Sequence, residues 1–223
     1  MEKWINTSYQ RLTELEKIML LSAAFSIVLL LIRIIVTGEW LFAFLPWNML
    51  LAYIPYWITR WLTFHPDRME KKRLFIPALI LWILFVPNSF YIITDLFHFN
   101  ETADAPRWFD LTLLFSFAWN GILPGVVSVY KMESIVVDGL RLHNRIYFLL
   151  PIMWLIALGI YIGRYLRYNS WDIITDPFSL IGDITWMVIH PLRHGYAWGM
   201  IACFGVFMTI IYISIRRLSA AIR

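Results

Sequence analysis

The sequence predicts an all-α membrane protein: a polytopic helical bundle of about six transmembrane helices, with an interfacial helix in the last extracytoplasmic connection. First, 60% of the 223 residues are hydrophobic and 17% are aromatic, whereas a soluble domain is about 45–50% apolar. Second, a membrane span takes about 20 apolar residues, so this length holds about six spans with short connections. Third, basic and acidic connections alternate along the chain.

Six apolar runs define the predicted spans, and an amphipathic segment precedes them. The runs lie at about 18–37, 43–63, 74–94, 109–130, 146–163 and 197–215. Residues 1–16 interleave apolar and charged side chains at helical spacing, which is typical of a helix lying on a membrane surface. We therefore divide the chain into an amphipathic cytoplasmic juxtamembrane segment (1–16) and a single transmembrane domain (17–223). Arg33, near the end of the first run, is expected to extend its charge to the interface.

The distribution of charge predicts the orientation. Lysine and arginine concentrate at both termini and in the second and fourth connections, whereas the third connection is acidic. Because cytoplasmic loops carry the excess of Lys and Arg, both termini are expected in the cytoplasm, which requires an even number of spans. The net charge of +4 is modest. In a membrane protein it indicates contact with membrane lipids and no nucleic-acid partner.

The fifth connection is unusually long, at about 33 residues, and connections of that length are often functional. Within it, Asp176 and Pro177 form a plausible helix start, because proline is favoured in the first turn of a helix. The apolar segment 177–189 that follows is too short to span a bilayer. We therefore predict an interfacial or re-entrant helix that covers the outer face of the bundle.

Polar side chains form a stripe at the outer end of the third predicted span. At helical spacing, Asn88, Tyr91, Asp95 and His98 fall within an arc of roughly 80°. Polar groups at membrane depth are costly, so they are candidates for a functional site. Asp95 and His98 are three residues apart and are able to share a metal or a proton. The alternative for Asn88 and Tyr91 is that they only form hydrogen bonds to neighbouring helices.

Two further groups of polar residues lie on the same predicted side of the bilayer. Asp110 begins the fourth span, where the alternative is a helix N-terminal residue stabilised by the macrodipole. Arg164 and Arg167 follow the fifth span at i, i+3, and paired guanidinium groups suit phosphate or carboxylate recognition. Their alternative is pairing with aspartates or with lipid phosphates. Residues 169–172 are typical of a turn that ends the helix and directs side chains back to the site.

Histidines suggest a metal site. His190 and His194 have the i, i+4 spacing of a zinc-ligand pair on one helix face, although Pro191 lies between them. With His98 they would form a three-histidine site, in which Asp95 or Asp110 acts as a ligand or general base. The alternative is that these are unrelated histidines at the membrane interface.

Three long blocks carry a resemblance to a known family. Residues 85–98, 108–121 and 161–172, together with Trp47-Asn48 and the following Ala52 and Pro55, resemble the signature blocks of a bacterial polytopic membrane family catalogued as Domain of Unknown Function 1361. The resemblance runs over nearly the whole chain. It implies a multi-pass protein of the bacterial cytoplasmic (inner) membrane, and it implies no particular activity or catalytic residue.

A second resemblance lies only in the arrangement of residues. Thr94 and His98 four residues apart, then Asp110, then His190 and His194, are similar in order to the Ser/His, Asp and His/His residues of intramembrane zinc hydrolases related to alkaline ceramidases. This resemblance implies a zinc-dependent hydrolase.

These observations support three functional hypotheses. The first is a membrane-embedded, metal-dependent hydrolase of a lipid or lipid-linked substrate. Its catalytic residues would be Thr94, Asp95 and Asp110, its metal ligands His98, His190 and His194, and its substrate-binding residues Asn88, Tyr91, Arg164, Arg167, Asn169 and Asp172. The second is binding or transport of an anionic, phosphate-bearing headgroup or an ion. The third is a structural partner in an envelope assembly. Because the ionisable residues concentrate at the outer end, we expect an outward-facing site and no path through the bundle.

Overall fold

The computed structural model of the chain describes residues 2–67, 71–99, 105–140 and 143–221, and within these ranges it contains helices and no strand. The long helices are α1 (Glu2–Thr37), α2 (Leu45–Phe64), α3 (Lys72–Tyr91), α4 (Arg107–Leu140), α5 (Ile146–Tyr161) and α8 (Gly195–Ala221). A 3₁₀ segment (Ile92–His98) continues α3, and a π turn (Ile162–Leu166) continues α5. Between the π turn and α8 lie two short helices, α6 (Asp172–Thr175) and α7 (Pro177–Ile189).

The predicted multi-span, all-α fold is confirmed. In the described residues, five stretches are long and apolar enough to cross a membrane: Glu14–Thr37, Lys72–His98, Arg107–Gly139, Ile146–Leu166 and Gly195–Ser219. The remaining predicted span corresponds to α2, a 20-residue helix that is about 30 Å long at about 1.5 Å per residue. Its tryptophans, tyrosines and Arg60 lower its hydropathy, yet it packs against both α3 and α4. The bundle therefore has about six long helices.

The N-terminal segment joins the first span without a break. Backbone residues 2–16 are helical and continuous with the rest of α1. Their membrane-surface location and the amphipathic character of 1–16 stay predictions, because the side chains of residues 1–13 lie outside the described part of the chain.

The short helix predicted in the fifth connection is confirmed as α7. It begins at Pro177 and ends at Ile189, after 13 residues. The Asp176 side chain caps its first turn by accepting a hydrogen bond from the Ser179 backbone N–H at 3.4 Å, which satisfies one of the donors left free at a helix start. Its location at the membrane interface stays a prediction.

Glycines bring α4 and α5 against the C-terminal half of α3. A Cβ atom added to Gly121 of α4 would lie 2.6 Å from the Ser89 carbonyl oxygen, and one added to Gly159 of α5 would lie 2.6 Å from the Pro87 ring. Each glycine begins a G-x-x-x-G pair, with Gly125 and Gly163 respectively. Small residues at this spacing allow helix backbones to approach closely in membrane bundles, and here they fix the position of the polar stripe on α3.

Polar side chains tie the remaining helices together. In the middle of α4, the amide nitrogen of Asn120 donates to the hydroxyls of Ser22 and Ser26 of α1, at 3.0 Å each. At the opposite end of the bundle from the polar stripe, fully buried Glu133 accepts hydrogen bonds from Arg145, Arg216 and Tyr212. These contacts join α4 to α1, to the start of α5 and to α8. They satisfy polar groups that would be costly in a membrane interior.

Candidate functional site

Asp95 lies at the centre of a buried polar cluster that follows the C-terminal end of α3. The residue is 1% exposed. Its Oδ2 atom accepts a hydrogen bond from the side-chain amide of Asn48, at 2.9 Å, and its Oδ1 atom lies 4.0 Å from Nη1 of Arg164. The amide of Asn48 and the guanidinium of Arg164 offset part of the cost of burying this carboxylate, whose Oδ1 atom accepts no hydrogen bond from the described residues.

Arg164 also contacts His98. Its Nη1 atom lies 3.1 Å from Nε2 of His98. A guanidinium only donates hydrogen bonds, so this contact runs from Arg164 to the His98 ring. The guanidinium carbon of Arg164 also lies 5.3 Å from the centre of the Phe97 ring, within the range of a cation–π contact. Asp95, His98 and Arg164 are therefore brought together as predicted.

Asn48 is also part of this cluster, through its hydrogen bond to Asp95, although it was not among the predicted site residues. It lies in the first turn of α2, and its side chain contacts Asp95 across 47 positions of sequence. The signal that could have found it is the amide itself, which stands within an apolar run where polar groups need a partner.

Thr94 is buried next to Asp95 but is occupied locally. Its hydroxyl donates a 2.7 Å hydrogen bond to the carbonyl oxygen of Tyr91, one turn earlier. A threonine that donates to the preceding turn is a common arrangement in helices. The structure thus gives Thr94 a structural partner, and its catalytic role stays a prediction.

Asp110 belongs to a different cluster from Asp95. Its Oδ1 atom lies 2.8 Å from Nε of Arg33, and its Oδ2 atom lies 3.4 Å from Nη2 of the same residue. The guanidinium carbon of Arg33 also lies 4.3 Å from the centre of the Phe42 ring. Arg33 is only 1% exposed, so the expectation that it extends to the interface is wrong: its charge is paired inside the bundle, where it ties α1 to α4.

A cavity of about 330 Å³ lies beside the Asp95 cluster, between α2, α3 and α5. The turn 168–171 and α7 complete its wall. Its polar and aromatic lining consists of Trp47, Asn48, Asn88, Tyr91, Tyr168, Asn169, Ser170 and Trp171, and its apolar lining includes Leu51, Ile83, Leu84, Leu155, Leu158, Leu180 and Ile184. Of the predicted substrate-binding residues, Asn88, Tyr91 and Asn169 line this cavity, whereas Arg164, Arg167 and Asp172 do not.

Asn88 of α3 forms a hydrogen bond to the turn 168–171. Its amide nitrogen donates to the Ser170 hydroxyl at 2.9 Å and to the Phe85 carbonyl oxygen at 3.2 Å. The predicted hydrogen bonding of Asn88 is therefore present. Because both of its amide hydrogens are committed to protein acceptors, its carbonyl oxygen is left as the group available to a ligand.

The turn after the π turn is shaped by Arg167 and Asp172. Arg167 adopts a left-handed conformation, with φ of 61°, and its side chain is exposed. The Asp172 carboxylate accepts hydrogen bonds from the Asn169 backbone N–H at 2.6 Å and the Thr175 hydroxyl at 2.9 Å. These two donors hold the pKa of Asp172 below its usual range. The predicted turn is present, and Asp172 stabilises it from outside the cavity.

Tyr168 links this turn to α7. Its hydroxyl donates a 2.9 Å hydrogen bond to a carboxylate oxygen of Asp183, which raises the pKa of Tyr168. Because the same side chain lines the cavity, the position of α7 and the shape of the cavity are linked.

The structure does not bring the predicted metal ligands together. In the ranges that the structure describes, which include all three histidines, no three His, Cys, Asp or Glu side chains lie close enough to hold a metal ion. His190 and His194 are not on one helix, because α7 ends at Ile189 and a turn precedes α8. The reason is Pro191, which disfavours helical geometry at the preceding residue.

His190 has a local partner instead. Its Nδ1 atom lies 3.2 Å from the Trp186 carbonyl oxygen, and its ring centre lies 3.8 Å from that of Trp186. This arrangement caps the end of α7. The predicted zinc site, with His98, His190 and His194 as ligands, therefore has no support in the geometry.

Comparison with known proteins places the chain in a family. No curated protein and no solved structure matches it. One family model, described as "Protein of unknown function (DUF1361)", matches residues 47–211. The match begins at Trp47 in the cavity lining and includes the whole of the Asp95 cluster, whereas Arg33 lies before it. Because the model covers well over half of the chain, the protein belongs to the DUF1361 family of proteins of unknown function.

Proposed function

We propose that the protein is a membrane-embedded binding protein for a lipid or lipid-linked ligand, which it holds in the cavity between α2, α3 and α5. The observation that carries this proposal is the division of the cavity wall into an apolar side and a polar side. A cavity of about 330 Å³ lies within the usual range of about 300–1,000 Å³ for ligand sites. A lipid offers both kinds of surface: chains for the leucines and isoleucines, and a polar head for the amides.

Binding is favoured over hydrolysis by the state of the predicted catalytic residues. The Thr94 hydroxyl donates to a backbone carbonyl, and Asp110 is paired with Arg33. The described residues contain no group of three metal ligands. A hydrolase would need an activated nucleophile or a metal-bound water, and none of the contacts around Asp95 supplies either.

Cavity binding is tested by filling the cavity with a larger side chain. In Ile184→Trp, an indole replaces a side chain of the cavity wall on α7. We expect photolabelling by a diazirine-bearing diacylglycerol to fall at least fivefold, because the ligand and the indole compete for the same space. Labelling is measured by mass spectrometry of peptides from the purified protein.

The matched control is Ile181→Trp. This residue is on the same helix but is 61% exposed and does not line the cavity, so labelling should stay at the wild-type level. Equal labelling of cavity peptides in wild type and Ile184→Trp would contradict the proposal, provided that both proteins keep the same thermal midpoint.

We also propose that the protein lies in the bacterial cytoplasmic membrane with both termini in the cytoplasm, so that the cavity faces outward. The support is the excess of Lys and Arg at the termini and in the second and fourth connections. Reporter fusions after residue 105 and after residue 223 should report opposite sides of the membrane. The same side for both fusions would exclude three spans after residue 105, and with them the six-span topology on which the outward-facing cavity rests.

A further inference from the structure

We propose that the head group bound in this cavity is uncharged and rich in hydroxyls, as a glycosyl group is, and that it is not a phosphate. This inference rests on the proposed function and specifies the class of ligand. Its basis is the chemistry of the lining, which contains amides, hydroxyls and aromatic rings but, among the described residues, no charged side chain. It differs from the sequence-based hypothesis of an anionic ligand held by Arg164 and Arg167.

The two arginines are not available to an anion in the cavity. Arg164 is already committed to Asp95 and His98, at 4.0 and 3.1 Å, and neither arginine lines the cavity. Phosphate sites in proteins usually rely on a guanidinium, an ammonium or a cluster of backbone N–H groups. A phosphate that moved from water into this cavity would find no guanidinium or ammonium group in the lining. The free-energy cost of removing it from water would therefore remain uncompensated.

The amides of the lining present acceptors to the cavity. Both amide hydrogens of Asn88 are used, by Phe85 and Ser170. The orientation of the Asn48 amide is fixed by Asp95, because a carboxylate only accepts and therefore draws the amide nitrogen toward itself. The carbonyl oxygens of Asn48 and Asn88, together with the second amide N–H of Asn48, are thus the groups left for a ligand. Carbonyl oxygens accept hydrogen bonds from hydroxyls, and they repel the oxygens of a phosphate.

This arrangement gives Asp95 a positioning role. It lies behind the cavity wall, contacts Asn48 and is paired with Arg164, which also contacts His98, so the buried cluster sets which end of one amide faces the ligand. The buried carboxylate therefore contributes to ligand recognition by orienting the Asn48 amide, without itself contacting the ligand.

Aromatic rings supply the second element of recognition. Trp47 and Trp171 both line the cavity and are 53% and 41% exposed, and Tyr91 lines it from α3. An indole combines a broad apolar face with an N–H donor. A sugar ring combines an apolar face of C–H groups with hydroxyls at its edge, so it matches rings and amides at the same time.

The inference is tested with three probes that have identical acyl chains: glucosyl diacylglycerol, phosphatidic acid and unsubstituted diacylglycerol. Dissociation constants are measured by native mass spectrometry of the full-length protein in a detergent that has no sugar head group. We expect the glucosyl lipid to bind at least tenfold more tightly than diacylglycerol, and phosphatidic acid to bind no more tightly than diacylglycerol.

The outcomes separate this inference from the proposed function. Tightest binding by phosphatidic acid, or equal binding by all three probes, would overturn the sugar-head inference while leaving lipid binding in place. Binding by none of the three would overturn the proposed function itself.

Variants locate the preference within the cavity. In Asn88→Leu, the tenfold preference for the glucosyl lipid over unsubstituted diacylglycerol should fall below threefold. If Asn88→Leu does not fold, Trp171→Leu is used instead. It removes one aromatic ring from the cavity lining and should reduce the preference for the glucosyl lipid over diacylglycerol. Trp186→Leu is the control, because Trp186 is similarly exposed, at 53%, but lies outside the lining. A preference unchanged in both cavity variants would overturn the inference.

Discussion

Arg33→Leu is expected to lower the free energy of unfolding by about 3–5 kcal/mol, the usual cost of breaking a buried ion pair by removing one partner. The substitution leaves the Asp110 carboxylate, which is only 4% exposed, without its guanidinium. It also removes the contact between that guanidinium and the Phe42 ring. The loss is measured by reversible unfolding of the purified protein in mixed micelles.

The double variant Arg33→Leu with Asp110→Leu distinguishes a structural pair from a catalytic aspartate. Replacing both charges with apolar side chains often restores stability, so the double variant should recover most of the loss and keep wild-type photolabelling of the cavity. Recovered stability with lost labelling would show that Asp110 acts on the ligand. A single variant as stable as wild type would contradict the buried pair.

Gly121→Ala is expected to lower the free energy of unfolding by about 1–3 kcal/mol, the typical cost of overpacking a well-packed interior. The added methyl group would lie 2.6 Å from the Ser89 carbonyl oxygen and would overlap the Ile92 side chain. Because a backbone atom cannot move aside as a flexible side chain does, α4 and α3 must separate. The measurement is the same unfolding experiment.

Gly139→Ala on the same helix is the matched control. No heavy atom of the described residues lies within 4 Å of a Cβ added there, and alanine is a better helix former than glycine by about 1 kcal/mol. We therefore expect unchanged or slightly higher stability. Equal losses from the two substitutions would mean that glycine at position 121 matters for a reason other than close packing.

The sequence predicted those features that depend on local pattern. Apolar runs predicted the long helices, and Asp176-Pro177 predicted the start of α7, because capping and proline preferences act within one turn. Helical spacing also placed Asn88 and Tyr91 on one face of α3, and both line the cavity, whereas Asp95 lies in the 3₁₀ segment and does not.

Features that depend on how helices rotate against each other were not predicted. Arg33 near a span end suits either the interface or the interior, and only the packing of α1 on α4 selects Asp110 as its partner. The role of Asn48 likewise depends on a contact across 47 positions. The two histidines are not on one continuous helix, because Pro191 ends α7 at Ile189. A single turn, in which the His194 N–H donates to the His190 carbonyl oxygen at 3.3 Å, leads on to α8.

The 3₁₀ segment determines the direction in which Asp95 and His98 point. With 3.0 residues per turn, side chains three positions apart are eclipsed, whereas in an α-helix they are offset by about 60°. Ile92, Asp95 and His98 therefore form a straight column, and its first two members are buried. Rewinding these seven residues into α geometry would rotate the imidazole by about 60° relative to the carboxylate and shorten the segment by about 3.5 Å. The number of residues per turn in this segment thus determines whether Arg164 is able to contact both Asp95 and His98.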